Sequence, residues 1–234
     1  GWPLFRMAPS TDDEAKRLSD VILREWSDAA LALVEDGTIH GRELAETIRN
    51  TLEEKGLKPV FTDTFRPGQE QQLALVRRLK KAGATHVFIG GDRNDVAIIA
   101  RDALAENAAL TLIGGEAMDA ADQPVKLADG VYAVALPDYA QRADAAAVVE
   151  ELESRGVAAE GYVLPAHAAV IAIAEAAGAA SALSLPLAQA LGEAHFDPVI
   201  GPVAFDEQHE LTDNPYRLLM WQNGAFVEVG PASQ

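Results

Sequence analysis

Residues 85–116 read THVFIGGDRNDVAIIARDALAENAALTLIGGE, and the fold follows from how this stretch is divided. Two short apolar runs, 86–89 and 110–113, each end in a glycine pair followed by an acid, Asp92 and Glu116. Between them the spacing predicts a helix. Val96, Ile99 and Leu104 fall near one face, and Arg93, Arg101, Asp102 and Glu106 mostly on another. A strand–helix–strand unit of this kind implies parallel strands joined by a right-handed crossover. Ligands of open α/β sheets sit beyond the carboxyl ends of the strands, the edge to which both acids are assigned.

Outward from that unit, strands and helices continue to alternate. Residues 4–8 are extended. A helix from Ser10 or Thr11 to about Trp26 begins with Asp12, Asp13 and Glu14, acids suited to a helix N-terminus. Residues 29–34 form a strand, a second helix ends near Gly56, and residues 59–65 alternate as another strand. A third helix spans 69–82, and residues 131–135 are a strand beyond the central unit. Past Pro137 the rhythm changes to three helices at 141–155, 162–177 and 185–191. The middle one has so few charges that it should be covered on nearly all sides. From Phe196 the chain turns to β structure, and Gln222-Asn223-Gly224 marks a hairpin.

The composition narrows the function classes. A net charge of −17 over 234 residues argues against a nucleic-acid partner, which needs clustered Lys and Arg. No apolar run is read as long enough to span a bilayer. The absence of cysteine excludes disulfides and thiolate sites. Gly1-Trp2-Pro3 is not a basic n-region, so no signal peptide is expected in the sequence, as in a mature or truncated chain. Neither glycine pair matches G-x-G-x-x-G or a phosphate loop, no G-x-S-x-G occurs, and the five histidines show no metal spacing. No cofactor and no metal are expected. An Asp92/Glu116 acid–base pair is the one enzymatic arrangement conceivable, and plain binding is the stronger reading.

Several motifs in order resemble a known family. Leu4-Phe5-Arg6-Met7-Ala8-Pro9-Ser10, followed by His40-Gly41-Arg42-Glu43-Leu44-Ala45, is similar to the F-R-x-x-P-S … Y-G-x-x-L-A pattern. That pattern belongs to type I periplasmic solute-binding proteins of the leucine/isoleucine/valine-binding kind. Pro67-Gly68, Gly90-Gly91 and Gly115-Glu116 continue the match, as do Gly201-Pro202-Val203-Ala204-Phe205-Asp206 and Trp221-Gln222-Asn223-Gly224-Ala225-Phe226. The resemblance implies an α/β fold of two Rossmann-like lobes, each a parallel sheet with helices on both faces. Residues 9–135 plus 199–234 would be the complete second lobe. Residues 1–8 and 136–198 would be the crossover and the returning helices of an incomplete first lobe, leaving an apolar face in need of a partner and open to homo-oligomer formation.

The resemblance also assigns candidate ligand-binding residues. Glu116 would hold an amino-acid-like ligand's α-ammonium group. Asp92 and the adjacent Arg93 are further candidates; Asp92 stands where relatives often place an aromatic residue, and it reads equally as a helix N-cap. His40 stands where tyrosine is common, and Tyr162 would direct its ring toward the cleft. His167 reads as a packed histidine. The implied activity is extracytoplasmic, in the periplasm: capture of a small molecule and delivery to an ABC permease. A ligand-sensing regulatory domain is the alternative.

Overall fold

The central strands are buried almost throughout, their side chains alternating between two covered faces, and this decides the architecture. The structure, a computed structural model, describes residues 3–120 and 124–230. Packing divides the chain into two units, one of the residues up to Pro9 with Asp138–Pro215, the other of Ser10–Pro137 with the residues from Tyr216 onward.

The second unit holds the sheet. Helix α1 (Thr11–Glu25) opens with a capping box in which the Ser10 hydroxyl accepts from the Asp13 amide at 3.2 Å. In return the Asp13 carboxylate accepts from the Ser10 amide at 2.9 Å. After it come β1 (Leu31–Glu35), α2 (Ile39–Glu54), β2 (Phe61–Thr64) and α3 (Leu73–Lys81). The unit continues through β3 (His86–Gly90), α4 (Arg93–Ala105), β4 (Thr111–Gly114) and β5 (Tyr132–Ala135). The strand order is β2-β1-β3-β4-β5, all parallel. In β3, Val87 and Ile89 pack with Val76 and Leu79 of α3 and Val96 and Ile99 of α4. Phe88 points the other way, into Leu18 and Ile22 of α1 and Leu44 and Ile48 of α2. Both faces are therefore covered, which is why β1 is buried at every position.

Two antiparallel strands complete the sheet. Labelled in chain order after the helices of the other unit, they are β6 (Arg217–Gln222), paired with β5, and β7 (Ala225–Glu228). Asn223 and Gly224, at φ 52° and 87°, make the left-handed two-residue turn expected from their sequence. Helix α3 starts later than expected. Residues 69–72 are held outside it, where the Gln72 amide donates to the Asp102 carboxylate of α4 at 2.5 Å.

The first unit contains α5 (Ala146–Ser154), α6 (Val163–Leu183) and α7 (Leu187–Glu193). Helix α5 is shorter than expected because residues 139–141 form a separate 3-10 turn capped by Asp138. Two expectations are corrected here. Residues 199–215, assigned from sequence to the sheet-bearing lobe, belong to this unit. Phe196 and Val203 exchange both main-chain hydrogen bonds at 2.8 Å, and Val203 and Phe205 join the alanines of α6 in one core. Register with β5 begins only at Arg217.

Helix α6 is covered along one stripe rather than on all sides. Leu164, Ala168, Ala172, Ala176 and Ala180 repeat every four residues and are buried, whereas Val170 and Leu183 are 65% and 67% exposed. With 21 residues and a mean hydropathy of 1.6 over its most apolar window, α6 is also long and apolar enough to cross a membrane. That differs from the sequence reading because alanine raises hydropathy while adding little apolar surface. Its small side chains let α7 and the strand-like segment around Phe196 approach closely.

Candidate functional site

At the carboxyl edge of β1, β3 and β4 the chain leaves a cavity of about 100 Å³. Glu14, Asp36, Thr38, His40 and Asp92 line it with the backbone of Gly90, Gly91 and Gly115. Glu14 arrives on α1, Asp36 and Thr38 on the β1–α2 connection, His40 on the first turn of α2 and Asp92 at the start of α4. Asp36 accepts from the amide and hydroxyl of Thr38 at 2.9 and 2.6 Å, while Thr38 caps α2 by accepting from the Gly41 amide at 3.0 Å. The first turn of α2 therefore presents His40 at the cavity. Gly41 has to be glycine, because a Cβ there would lie 2.5 Å from Asp36 Oδ1 and 2.8 Å from the Gly90 carbonyl.

The five sequence candidates separate. His40 and Asp92 line the cavity. Asp92 is also the N-cap of α4, where its Oδ1 accepts from the Asp95 amide at 2.8 Å. Replacing Asp92 with alanine should cost about 1 kcal/mol in unfolding free energy, and asparagine much less. Equal losses would show that charge, not capping, is what Asp92 contributes to stability. Glu116 sits beside the cavity, with its carboxylate accepting from the Tyr216 hydroxyl at 2.6 Å. Arg93 does not line the cavity. Its guanidinium lies 4.3 Å from the Trp221 ring centroid and donates to the Ala120 carbonyl, which accounts for its burial. Tyr162 precedes α6, belongs to the first unit and is not among the residues lining this cavity. In the same helix His167 is partly buried, and its Nδ1 finds no hydrogen-bond partner among the described residues.

Sequence reasoning missed two residues. Tyr216 is fully buried and brings its hydroxyl to Glu116 from a position 100 residues away. Glu14 is the more consequential omission. It is 1% exposed, its Oε1 accepts from the Glu116 amide at 2.6 Å, and its Oε2 lies 3.6 Å from His40 Nε2. Burial raises its pKa to about 6, against the lowering effects of the Glu116 amide and His40, and the Glu116 charge adds to the rise.

A carboxyl raised from 4.5 to about 6 favours the folded state while it is protonated. That contribution is complete below pH 4.5 and lost as pH rises through about 6, leaving a cost of about 2 kcal/mol at neutral pH. Glu14→Gln should therefore be more stable than the parent by up to about 2 kcal/mol at pH 7.5, with no gain at pH 4. Urea titrations at the two pH values check this. A gain of the same size at both would mean that the glutamate's charge is not what burial opposes.

A larger hollow, about 580 Å³, lies between the start of α3 and α4. Two of its charged groups are already engaged: Arg101 pairs with Asp102 at 2.8 Å and donates to the Glu70 main-chain carbonyl at 2.7 Å. The smaller cavity is the better site because its acids converge on open space at the strand ends.

A doubly wound parallel sheet with an acid-lined cavity at its carboxyl edge has the arrangement in which open α/β sheets place their ligand crevices. The chain belongs to the Periplasmic binding protein family, whose model matches residues 3–225. It is similar to Leu/Ile/Val-binding protein homolog 1 of Brucella melitensis, 28% identical over 229 residues, covering 96% of this chain and 62% of that protein. Leu/Ile/Val-binding protein BraC3 of Rhizobium johnstonii is 28% identical over 234 residues, with 96% and 63% covered. The chain thus spans less than two thirds of the length of these relatives.

Solved structures share the type I fold. A putative branched-chain amino acid ABC transporter protein from Rhodospirillum rubrum has a TM-score of 0.79 at 19% identity, with 96% of this chain and 67% of that one covered. A substrate-binding protein from Desulfitobacterium hafniense in complex with Leu gives 0.73 at 21%, with the same coverage. A solute-binding protein from R. palustris in complex with benzoate gives 0.70 at 17%, covering 97% and 64%.

Proposed function

We propose that this chain is the larger part of an extracytoplasmic solute receptor that binds an amino acid or related small molecule and passes it, chemically unchanged, to an ABC permease. The observation that carries this is the charge of the cavity: Glu14, Asp36 and Asp92 line it, Glu116 adjoins it, and no Lys or Arg among the described residues lines it. Such a wall favours a ligand's ammonium group. The unit bearing the sheet is the second lobe, and the unit of α5–α7 is the returning part of the first. Ligand stabilises closure by touching both lobes. The groups that meet its carboxylate come from the first lobe's opening part, so this chain binds amino acids weakly.

A melting-temperature screen of a version restored to the relatives' length tests the ligand class. One or a few amino acids should raise the midpoint. A rise confined to aromatic acids such as benzoate would overturn the amino-acid reading.

The exposed Val170, Ile173 and Leu183 of α6 support the lobe assignment, since unpartnered apolar residues on one helix mark a surface to be covered. Light scattering of this chain should show self-association that disappears in the restored version. A monomer at all concentrations would count against an orphaned face.

A further inference from the structure

We infer that Glu14 is a proton-linked ligand residue: it meets the ligand's ammonium group from the floor of the cavity, and the proton it carries when the site is empty leaves to solvent as that cation enters. This rests on the proposed reading of the cavity as the ammonium-facing half of the site.

The geometry supports a role beyond packing. Glu14 is the most deeply buried acid lining the cavity, yet it stands on the first turn of α1, where a solvent-facing side chain would serve helix capping equally well. One carboxylate oxygen is fixed by the Glu116 amide. The other, Oε2, accepts no hydrogen bond from a described residue, and its nearest charged neighbour is His40 Nε2 at 3.6 Å. Space has been cleared for this carboxylate. A Cβ on Gly115 would overlap Oε1 and lie 3.2 Å from Cδ, and Gly115 adopts an ordinary extended conformation at φ −95° that does not itself call for glycine.

The groups around Glu14 decide the direction of the linkage. His40 faces it from α2, Glu116 from the turn after β4, and Asp36 and Asp92 from across the cavity; Tyr216 reaches it only through Glu116. His40 is the one group among them able to carry positive charge, and its side chain is 51% exposed. Without a cation beside it, burial first and then the Glu116 charge oppose ionisation, so Glu14 holds a proton up to about pH 6. A cation against Oε2 reverses that balance. The products are a carboxylate paired with the ammonium group and a proton in bulk water, so a cationic ligand binds more weakly as pH falls below 6.

The test is a carbon-13 NMR titration of the Glu14 carboxyl in this chain, assigned by the signal missing from Glu14→Gln. It is run in sodium chloride and in methylammonium chloride at equal concentration. The expected midpoint is near 6 in sodium chloride, falling in methylammonium by about one unit, equivalent to tenfold tighter binding to the ionised form. An ordinary carboxylate midpoint, or the same midpoint in both salts, overturns the proposal. An L-leucine arm separates the two readings. If methylammonium lowers the midpoint and L-leucine does not, proton linkage stands and the amino-acid reading fails.

Discussion

Glu116→Gln is expected to weaken binding of a zwitterionic amino acid by about 1.5–3 kcal/mol, roughly ten- to 150-fold, in a version carrying the relatives' full length. The substitution keeps shape and hydrogen bonding. A glutamine oxygen still accepts from the Tyr216 hydroxyl, now 2.6 Å from Glu116 Oε2, and the main-chain amide still donates to Glu14. Only the charge is removed, so the loss reports the charge-assisted contact with the ammonium group. Isothermal titration with the amino acid that raises the melting temperature most is the measurement. Unchanged affinity in a folded variant would remove Glu116 from the site and leave Glu14 as the acid facing the ligand.

The second large effect is expected at Gly115. Alanine there places a methyl group 2.0 Å from Glu14 Oε1 and 3.3 Å from Leu44 Cδ2, so the buried carboxylate has to move away from the Glu116 amide. Overpacking of this kind costs about 1–3 kcal/mol. The displaced carboxylate would also release the Glu116 amide, so amino-acid binding should fall together with stability. Because Gly115 is extended, no penalty comes from backbone strain, and the entire effect is steric. Truncating the neighbour tests this. On a Glu14→Ala background the added methyl has room, so Gly115→Ala should cost much less stability than it does alone. Full additivity of the two substitutions would show that the clash does not govern the cost.

Much of the fold was legible because both local patterns agree with the tertiary arrangement. The apolar run of residues 86–89 coincides with a strand covered on both faces. Asn223-Gly224 has the residues its left-handed turn requires. Where long-range contacts decide, the reading failed. Residues 199–215 look like the strands that follow them, yet Val203 and Phe205 pack on the alanines of α6. Residues 69–72 look helical, but the buried Asp102 carboxylate draws the Gln72 amide out of the helix.

The site divided along the same line. Asp92 was visible because loops at strand ends reach the carboxyl edge of the sheet by topology, and His40 because it stands where the resembled family commonly has tyrosine. Glu14 was read as one of three acids favouring a helix N-terminus. A signal was present: Glu14, Leu18 and Ile22 repeat at four-residue spacing, which places the glutamate on the apolar face with two core residues. A carboxylate on that face needs a partner or a purpose. Arg93 turns away from the cavity to Trp221, a contact that adjacency to Asp92 could not show because Trp221 is distant in sequence.

The most direct test of the central claim, that this chain carries the ammonium-facing half of an amino-acid site, is a nitrogen-15 amide NMR titration. L-leucine and N-acetyl-L-leucine are added in parallel, since they differ in the presence of the charged ammonium group. The account predicts concentration-dependent shifts at His40, Gly115, Glu116 and Ala117 with L-leucine, and little change with the acetylated compound. No shift with either, or equal shifts with both, would contradict it.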